Sequence, residues 1–127
     1  MIVYPDDNYN SFISCADARS YFTGRLYSDE FNYASLTVQE AALITAFRSI
    51  NELDVTIDPT ESAEFQAVKE AQCEQALYEL KIDLDQQFSF LGIPNLQMTR
   101  KEKPRYSERT LAILRPYMTA PTITVTR

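Results

Sequence analysis

Apolar residues return along this chain at intervals of three and four in successive stretches, and the stretches open on residues suited to start a helix. Ser14 precedes Cys15-Ala16-Asp17-Ala18-Arg19-Ser20-Tyr21-Phe22. Its hydroxyl can cap the first free backbone N–H groups, and Asp17 sits favourably in the positive first turn. This predicts a helix from Cys15 to Arg25. Thr37-Val38-Gln39-Glu40 fits the capping-box pattern, and Leu43, Phe47 and Ile50 follow at i, i+4 and i+7, predicting a second helix that buries that stripe. Asp58-Pro59-Thr60-Glu61 offers another box-like start with Pro at the first helical position, with Ser62 as the alternative cap. From there Phe65, Val68, Cys73, Ala76, Leu77, Leu80 and Leu84 keep helical spacing, with Glu64, Lys69, Glu70, Glu74, Lys81 and Asp85 mostly on the other faces. A third helix from Pro59 to Asp85 would span roughly 40 Å and act as the central strut of a bundle.

The pattern changes after residue 86. Phe88-Ser89-Phe90-Leu91-Gly92-Ile93-Pro94 mixes aromatics with breakers and reads as an extended or turning segment. Ser107 to Arg115 has the composition of a short fourth helix, stopped by Pro116. The tail, Pro121-Thr122-Ile123-Thr124-Val125-Thr126-Arg127, alternates β-branched apolar and polar residues, a strand with no partner nearby in sequence. Thr122, Thr124 and Thr126 would face one way and Ile123 and Val125 the other. Such a strand can complete the sheet edge of another subunit; the alternative is a disordered terminus. The expected architecture is mainly α: a three- to four-helix bundle with a short β element and an extended C-terminal arm. Residues 1–96 form the helical domain and 97–127 a basic C-terminal segment.

Composition narrows the chemistry. The 127 residues are 45% apolar and 24% charged, the balance of one folded domain. Two glycines, Gly24 and Gly92, leave little room for phosphate-cradling loops. The absence of histidine removes the commonest general base and zinc ligand together. Cys15 and Cys73 form neither a CxxC pair nor a metal set; each reads as a small buried hydrophobe, against a disulfide or reactive thiol. The opening residues, Met1 to Asp7, carry neither the basic flank nor the apolar run of a secretory signal, and no stretch approaches the ~20 apolar residues of a membrane span. The expectation is a protein that stays on the cytoplasmic side or enters a particle assembled there, with no cofactor and no metal.

Charge divides the chain where the pattern does. Residues 1–96 hold sixteen Asp and Glu against five Lys and Arg, a net of −11; residues 97–127 hold two against seven, a net of +5; together they give the chain's −6. Complementary ends suit subunits that assemble side by side in a ring. The alternative is that Arg100-Lys101-Glu102-Lys103-Pro104-Arg105 is a solvated loop.

Several segments together carry a resemblance. Asn10-Ser11-Phe12-Ile13-Ser14 with Ala16-Asp17-Ala18 and Tyr21-Phe22 up to Arg25 comes first. Then follow Glu40-Ala41-Ala42-Leu43-Ile44 with Ala46, Ala67-Val68-Lys69 with Ala71-Gln72-Cys73-Glu74 and Ala76-Leu77, and Leu111 with Leu114-Arg115-Pro116-Tyr117. In this order they resemble the small phage proteins called DnaT-like single-stranded-DNA-binding proteins, which in size and helical plan are similar to head-completion adaptors of the head-to-tail connector. The resemblance covers most of the chain. It departs from the family in having only Asp54-Val55-Thr56-Ile57-Asp58 between the second and third helices, and no Trp. It implies a virion neck protein, assembled in the host cytoplasm. The subunits would form a homo-oligomeric, dodecameric ring between the portal protein and a downstream neck or tail protein, with duplex DNA passing through unbound and no membrane contact. The arm that grips a neighbour would comprise Arg115, Tyr117, Thr122, Ile123, Thr124, Val125 and Arg127.

Two rival functions can be judged on residues. Binding single-stranded DNA needs a basic groove with stacking aromatics. The eight Tyr and seven Phe fall mostly in the acidic part, and only Arg100, Lys101, Lys103 and Arg105 with Tyr106 combine the two features. Catalysis has one imaginable carboxylate pair, Glu79 and Asp83 at i and i+4, which on an exposed helix face is solvated charge. No nucleophile with a base accompanies it, and the chain reads as no enzyme.

Overall fold

The computed structural model describes residues 1–53, 55–58, 60–90 and 104–118, and of residues 83–90 the backbone alone. The chain is mainly helical, its helices packed on one another. Among the described residues these are α1 (Cys15–Phe22), α2 (Asp29–Asn32), α3 (Leu36–Asn51), α4 (Ser62–Phe90) and α5 (Glu108–Leu114), followed by a 3-10 turn, Arg115–Tyr117.

Local chemistry accounts for most boundaries. Ser14 caps α1 by accepting from the Asp17 N–H at 3.1 Å. The helix stops three residues short of the expected Arg25 because Thr23 turns extended, its hydroxyl donates back to the Arg19 carbonyl, and Gly24 takes a φ of +80° that redirects the chain. Helix α2 is one turn, too short for any periodicity to announce, and exists because Phe31 is fully buried. The start of α3 lies ahead of the expected Thr37 box: Ser35 caps it, accepting from Val38 N–H at 3.3 Å. Both residues make good caps. Gln39 decides between them, because it turns inward and its amide donates to the carbonyls of Phe31 and Ala34, fixing the chain just ahead of Ser35.

Helix α4 begins later and ends later than the Pro59–Asp85 expectation. Asp58 makes an Asx turn with Thr60, accepting from its N–H at 3.0 Å and its hydroxyl at 2.7 Å, so it shapes the approach to the helix and leaves the first turn to start at Ser62. These two bonds hold the Asp58 carboxyl below its ordinary pKa. At the other end Phe88, Ser89 and Phe90 continue the helix rather than turning out of it. No Gly or Pro interrupts the chain before Gly92, and the hydrogen-bond ladder outweighs the strand preference of two aromatics. At 29 residues the helix is roughly 43 Å long.

The core has two parts on either side of α4. Ile13, Ala18, Phe22, Phe31, Leu43, Ala46, Cys73, Ala76 and Leu77 form one, and Ile50, Val68, Ala71 and Leu114 the other. Leu114 is fully buried, so α5 belongs to the same body as α3 and α4. The β structure among the described residues is two isolated bridges, Val3 with Ser11 in parallel and Val55 with Met118 antiparallel. No helix of the described residues is long and apolar enough to cross a membrane.

Seven consecutive residues of α4, 71–77, are buried, which amounts to two helical turns enclosed on every side. Three of them are polar, and each ties a different part of the chain to the strut. Gln72 accepts from the Phe12 N–H and donates to the Ser11 hydroxyl and the Leu43 carbonyl, fastening the N-terminal segment. Gln75 accepts from the Ser107 N–H and donates to the Arg105 carbonyl, fastening the segment that leads into α5. Glu74 receives the Arg25 guanidinium on both oxygens and the Tyr21 hydroxyl on one, fastening α1 and the loop after it. Glu74 therefore does not lie on an outer face: it is 5% exposed.

Candidate functional site

The loop from Thr23 to Ser28 is held from beneath and displays its apolar residues outward. Arg25 is pinned to Glu74, and the hydrogen bonds to that carboxylate keep its guanidinium above its ordinary pKa. Ser28 is buried, its hydroxyl donating to the carbonyls of Phe22 and Arg25. Between these anchors Leu26 is 75% exposed and Tyr27 78%, with Tyr27 at a φ of +64°. A bulky residue in that region costs roughly 1–2 kcal/mol, a strain of the kind that collects at functional positions. Tyr33 at the end of α2 is 84% exposed, and Leu36 and Val38 on the first turn of α3 are exposed as well. Tyr27 and Tyr33 each leave most of a large, mainly apolar side chain in water.

Two grooves flank α4 beside this ledge. One, of about 390 Å³, has Glu74 and Leu77 in its lining, with Leu26 and Tyr27 contributing from the loop and Arg109 from α5. The other, of about 420 Å³, is lined by Val38, Ala41, Ala42, Thr45, Glu79, Leu80 and Ile82. Glu79 is not the solvated carboxylate expected from sequence: it is half-buried and accepts from the Ser49 hydroxyl at 3.0 Å and the Gln75 amide at 2.9 Å. Those bonds make it a packing element. The side chain of Asp83, its expected companion, lies outside the described residues.

The residues singled out for partner contact divide. Arg115 stands exposed on the 3-10 turn; Tyr117 is half-buried, and its carbonyl accepts from Thr56 N–H at 2.8 Å, so this part of the arm is docked on the body. Thr122, Ile123, Thr124, Val125 and Arg127 lie outside the described residues, as do Arg100, Lys101 and Lys103 of the basic run. Arg105 forms an ion pair with Glu52 at 2.6 Å and lies 5.5 Å from the centre of the Tyr106 ring. The ledge itself was missed by sequence reading. The only signal for it, adjacent Leu26 and Tyr27 between a glycine and a serine, is shared by countless buried loops.

Both cysteines are free and buried. Burial raises the Cys73 thiol far above its ordinary pKa and Cys15 in the same direction, which keeps both protonated and inert. What the arrangement offers is an anchored apolar display beside two grooves, suited to contact with another molecule. No family model, curated protein or solved structure matches the chain.

Proposed function

We propose that this chain is a structural subunit of a tailed-phage neck, an adaptor whose copies form a ring joining the portal protein to a downstream neck or tail protein, with duplex DNA passing through the channel. The observation that carries the assembly part of this reading is the anchored ledge, where Leu26 and Tyr27 are held in water at the expense of a strained backbone. A lone folded domain gains nothing from that arrangement, whereas a subunit buries it on association. The phage setting rests on the motif resemblance, from Asn10–Ser14 through Leu114–Tyr117. Net charge supports passage rather than capture of DNA, because a −6 protein repels phosphate overall. Location in the virion neck, after assembly in the host cytoplasm, belongs to the same proposal.

Single-stranded-DNA binding is the second reading. The stack of Arg105 on Tyr106 favours it, and the pairing of Arg105 with Glu52 weighs against it. Light scattering of the purified protein, alone and mixed with a portal ring, with negative-stain images of any complex, tests the first reading. A ring that forms on the portal is the expected result. Indifference to the portal together with a micromolar low-salt gel shift would replace the adaptor with the DNA binder.

A further inference from the structure

The first turn of α4 and its middle carry surfaces of opposite character. Near residues 74–81 the ledge of Leu26 and Tyr27 borders a groove whose lining includes Lys81 and Arg109. Neither cation forms an ion pair among the described residues, while Arg25 is consumed by Glu74. Glu108 is the groove's other acid, and Asp29 and Glu30 of α2 are not part of its lining. Near residue 65 the N-terminal loop packs Tyr4 on Phe65 and Tyr9 on Phe12 and Phe47. That loop leaves Ile2 and Tyr9 partly in water and holds Asp6 and Asp7 exposed, with no ion pair among the described residues. The cation placed nearest by these ring contacts is Lys69, which sits over the Phe65 ring and forms no ion pair among the described residues.

We infer that the ledge end of one copy receives the acidic N-terminal loop of a second copy, Leu26 and Tyr27 covering Ile2 and Tyr9 while Lys81 and Arg109 meet Asp6 and Asp7. The inference rests on the assembly reading above and specifies its subunit contact. Sixteen residues of α4 separate Phe65 from Lys81, roughly 24 Å of helix, so one chain cannot satisfy its own two surfaces. Each copy presents one of each kind. Such a contact is head-to-tail, and its repetition closes into a ring or runs on as a filament. The loop is presented as firmly as the ledge: Ile2 N–H donates to the Asn10 side chain at 2.8 Å, Tyr4 N–H to the Ser11 carbonyl at 2.9 Å, and Ser11 is bound by Gln72 of the strut. Apolar area then supplies the attraction and the charges set polarity, because ledge against ledge or loop against loop would oppose like charges.

Charge reversal in trans tests this. A ledge variant, Lys81→Glu with Arg109→Glu, and a loop variant, Asp6→Lys with Asp7→Lys, are compared with the wild type by sedimentation velocity at low salt over a wide concentration range. The expected result is that each variant alone associates at least tenfold more weakly than the wild type, and that an equimolar mixture assembles again because reversed charges now face each other. Variants that associate as the wild type does, or a mixture that stays as dissociated as its components, would overturn the contact. A second readout covers weak association. Oxidation of a Tyr27→Cys protein mixed with a Tyr9→Cys protein should give a cross-linked dimer, whereas Tyr27→Cys alone should not, since Cys15 and Cys73 are buried. Absence of that cross-link overturns the contact too. If variants that fail these tests still form a ring on the portal, only this contact falls. A wild type that forms no ring on the portal brings down the assembly reading itself.

Discussion

A single buried carboxylate, Glu74, organises three parts of the molecule at once. It sits on the central helix, takes both nitrogens of Arg25 and the Tyr21 hydroxyl, and so fixes α1 and the ledge loop to α4. Removing one partner of a buried ion pair strands the other charge, which costs more than the pair itself contributes. Arg25→Ala is therefore expected to destabilise the protein by about 3 kcal/mol or more in urea denaturation, and Arg25→Met combined with Glu74→Met to recover much of that loss. Recovery would fail to appear if the pair were a net source of stability. The same network makes a prediction about pH. Burial, then the hydrogen bond and charge of Glu74, raise the Tyr21 hydroxyl above its ordinary pKa of 10.0, and burial raises Cys73 above 9.0. Groups raised on folding give stability that is intact below their unfolded values and drains away as pH climbs towards the folded ones. The urea midpoint should thus fall between about pH 8 and 10.5, and Tyr21→Phe should flatten part of the fall. A midpoint equally steep in that variant would assign the whole effect to Cys73.

At the scale of elements, α4 works as a strut because three of its polar residues, Gln72, Glu74 and Gln75, face inward and hold loops, while α1, α3 and α5 supply apolar cover. The described body closes on the bridge between Val55 and Met118, where Thr56 bonds the Tyr117 carbonyl. Leu53 already belongs to the turn that ends α3, its N–H bonded to the Ile50 carbonyl, and the described fold holds together without residues 119–127. Deleting 119–127 is accordingly expected to leave the melting curve unchanged, while abolishing co-sedimentation with a portal ring. A truncated protein that still joins the portal would free those residues of any role in assembly, and one that melts early would give them a role in the fold.

For the whole molecule, the division between an acidic body and cationic groove residues predicts a salt signature. Screening shortens from about 10 Å at 0.1 M ionic strength to about 3 Å at 1 M. Assembly, followed by light scattering across that range, should weaken with added salt without vanishing, because the charges orient a contact that apolar area sustains. Complete loss at high salt would mean that Leu26, Tyr27 and Tyr33 stay exposed in the assembly. Association unchanged by salt would remove Lys81, Arg109, Asp6 and Asp7 from it.

How much was legible follows from the range of the forces involved. Helical class, the cap at Ser14 and a short helix ahead of Pro116 could be read directly, because a cap and a hydrophobic period are satisfied within a few residues of chain. Where two local solutions were nearly equal, as with Ser35 and Thr37, a contact from outside the helix chose between them. The inward turn of Gln72, Glu74 and Gln75 had no local sign. A polar side chain is buried only where partners await it, and Glu74 meets Arg25 at a separation of 49 residues and Gln72 meets Ser11 at 61. The ledge was hidden for the converse reason. Phe22 and Phe31 lie on either side of Leu26 and Tyr27 in the chain, and all four are large and mainly apolar, yet the first pair is buried and the second exposed. By itself the sequence determined which segments coil, since that is settled by neighbours along the chain. Only the tertiary structure decided which apolar residues are used up in folding and which are left for a partner, because that depends on how many can reach α4 at once.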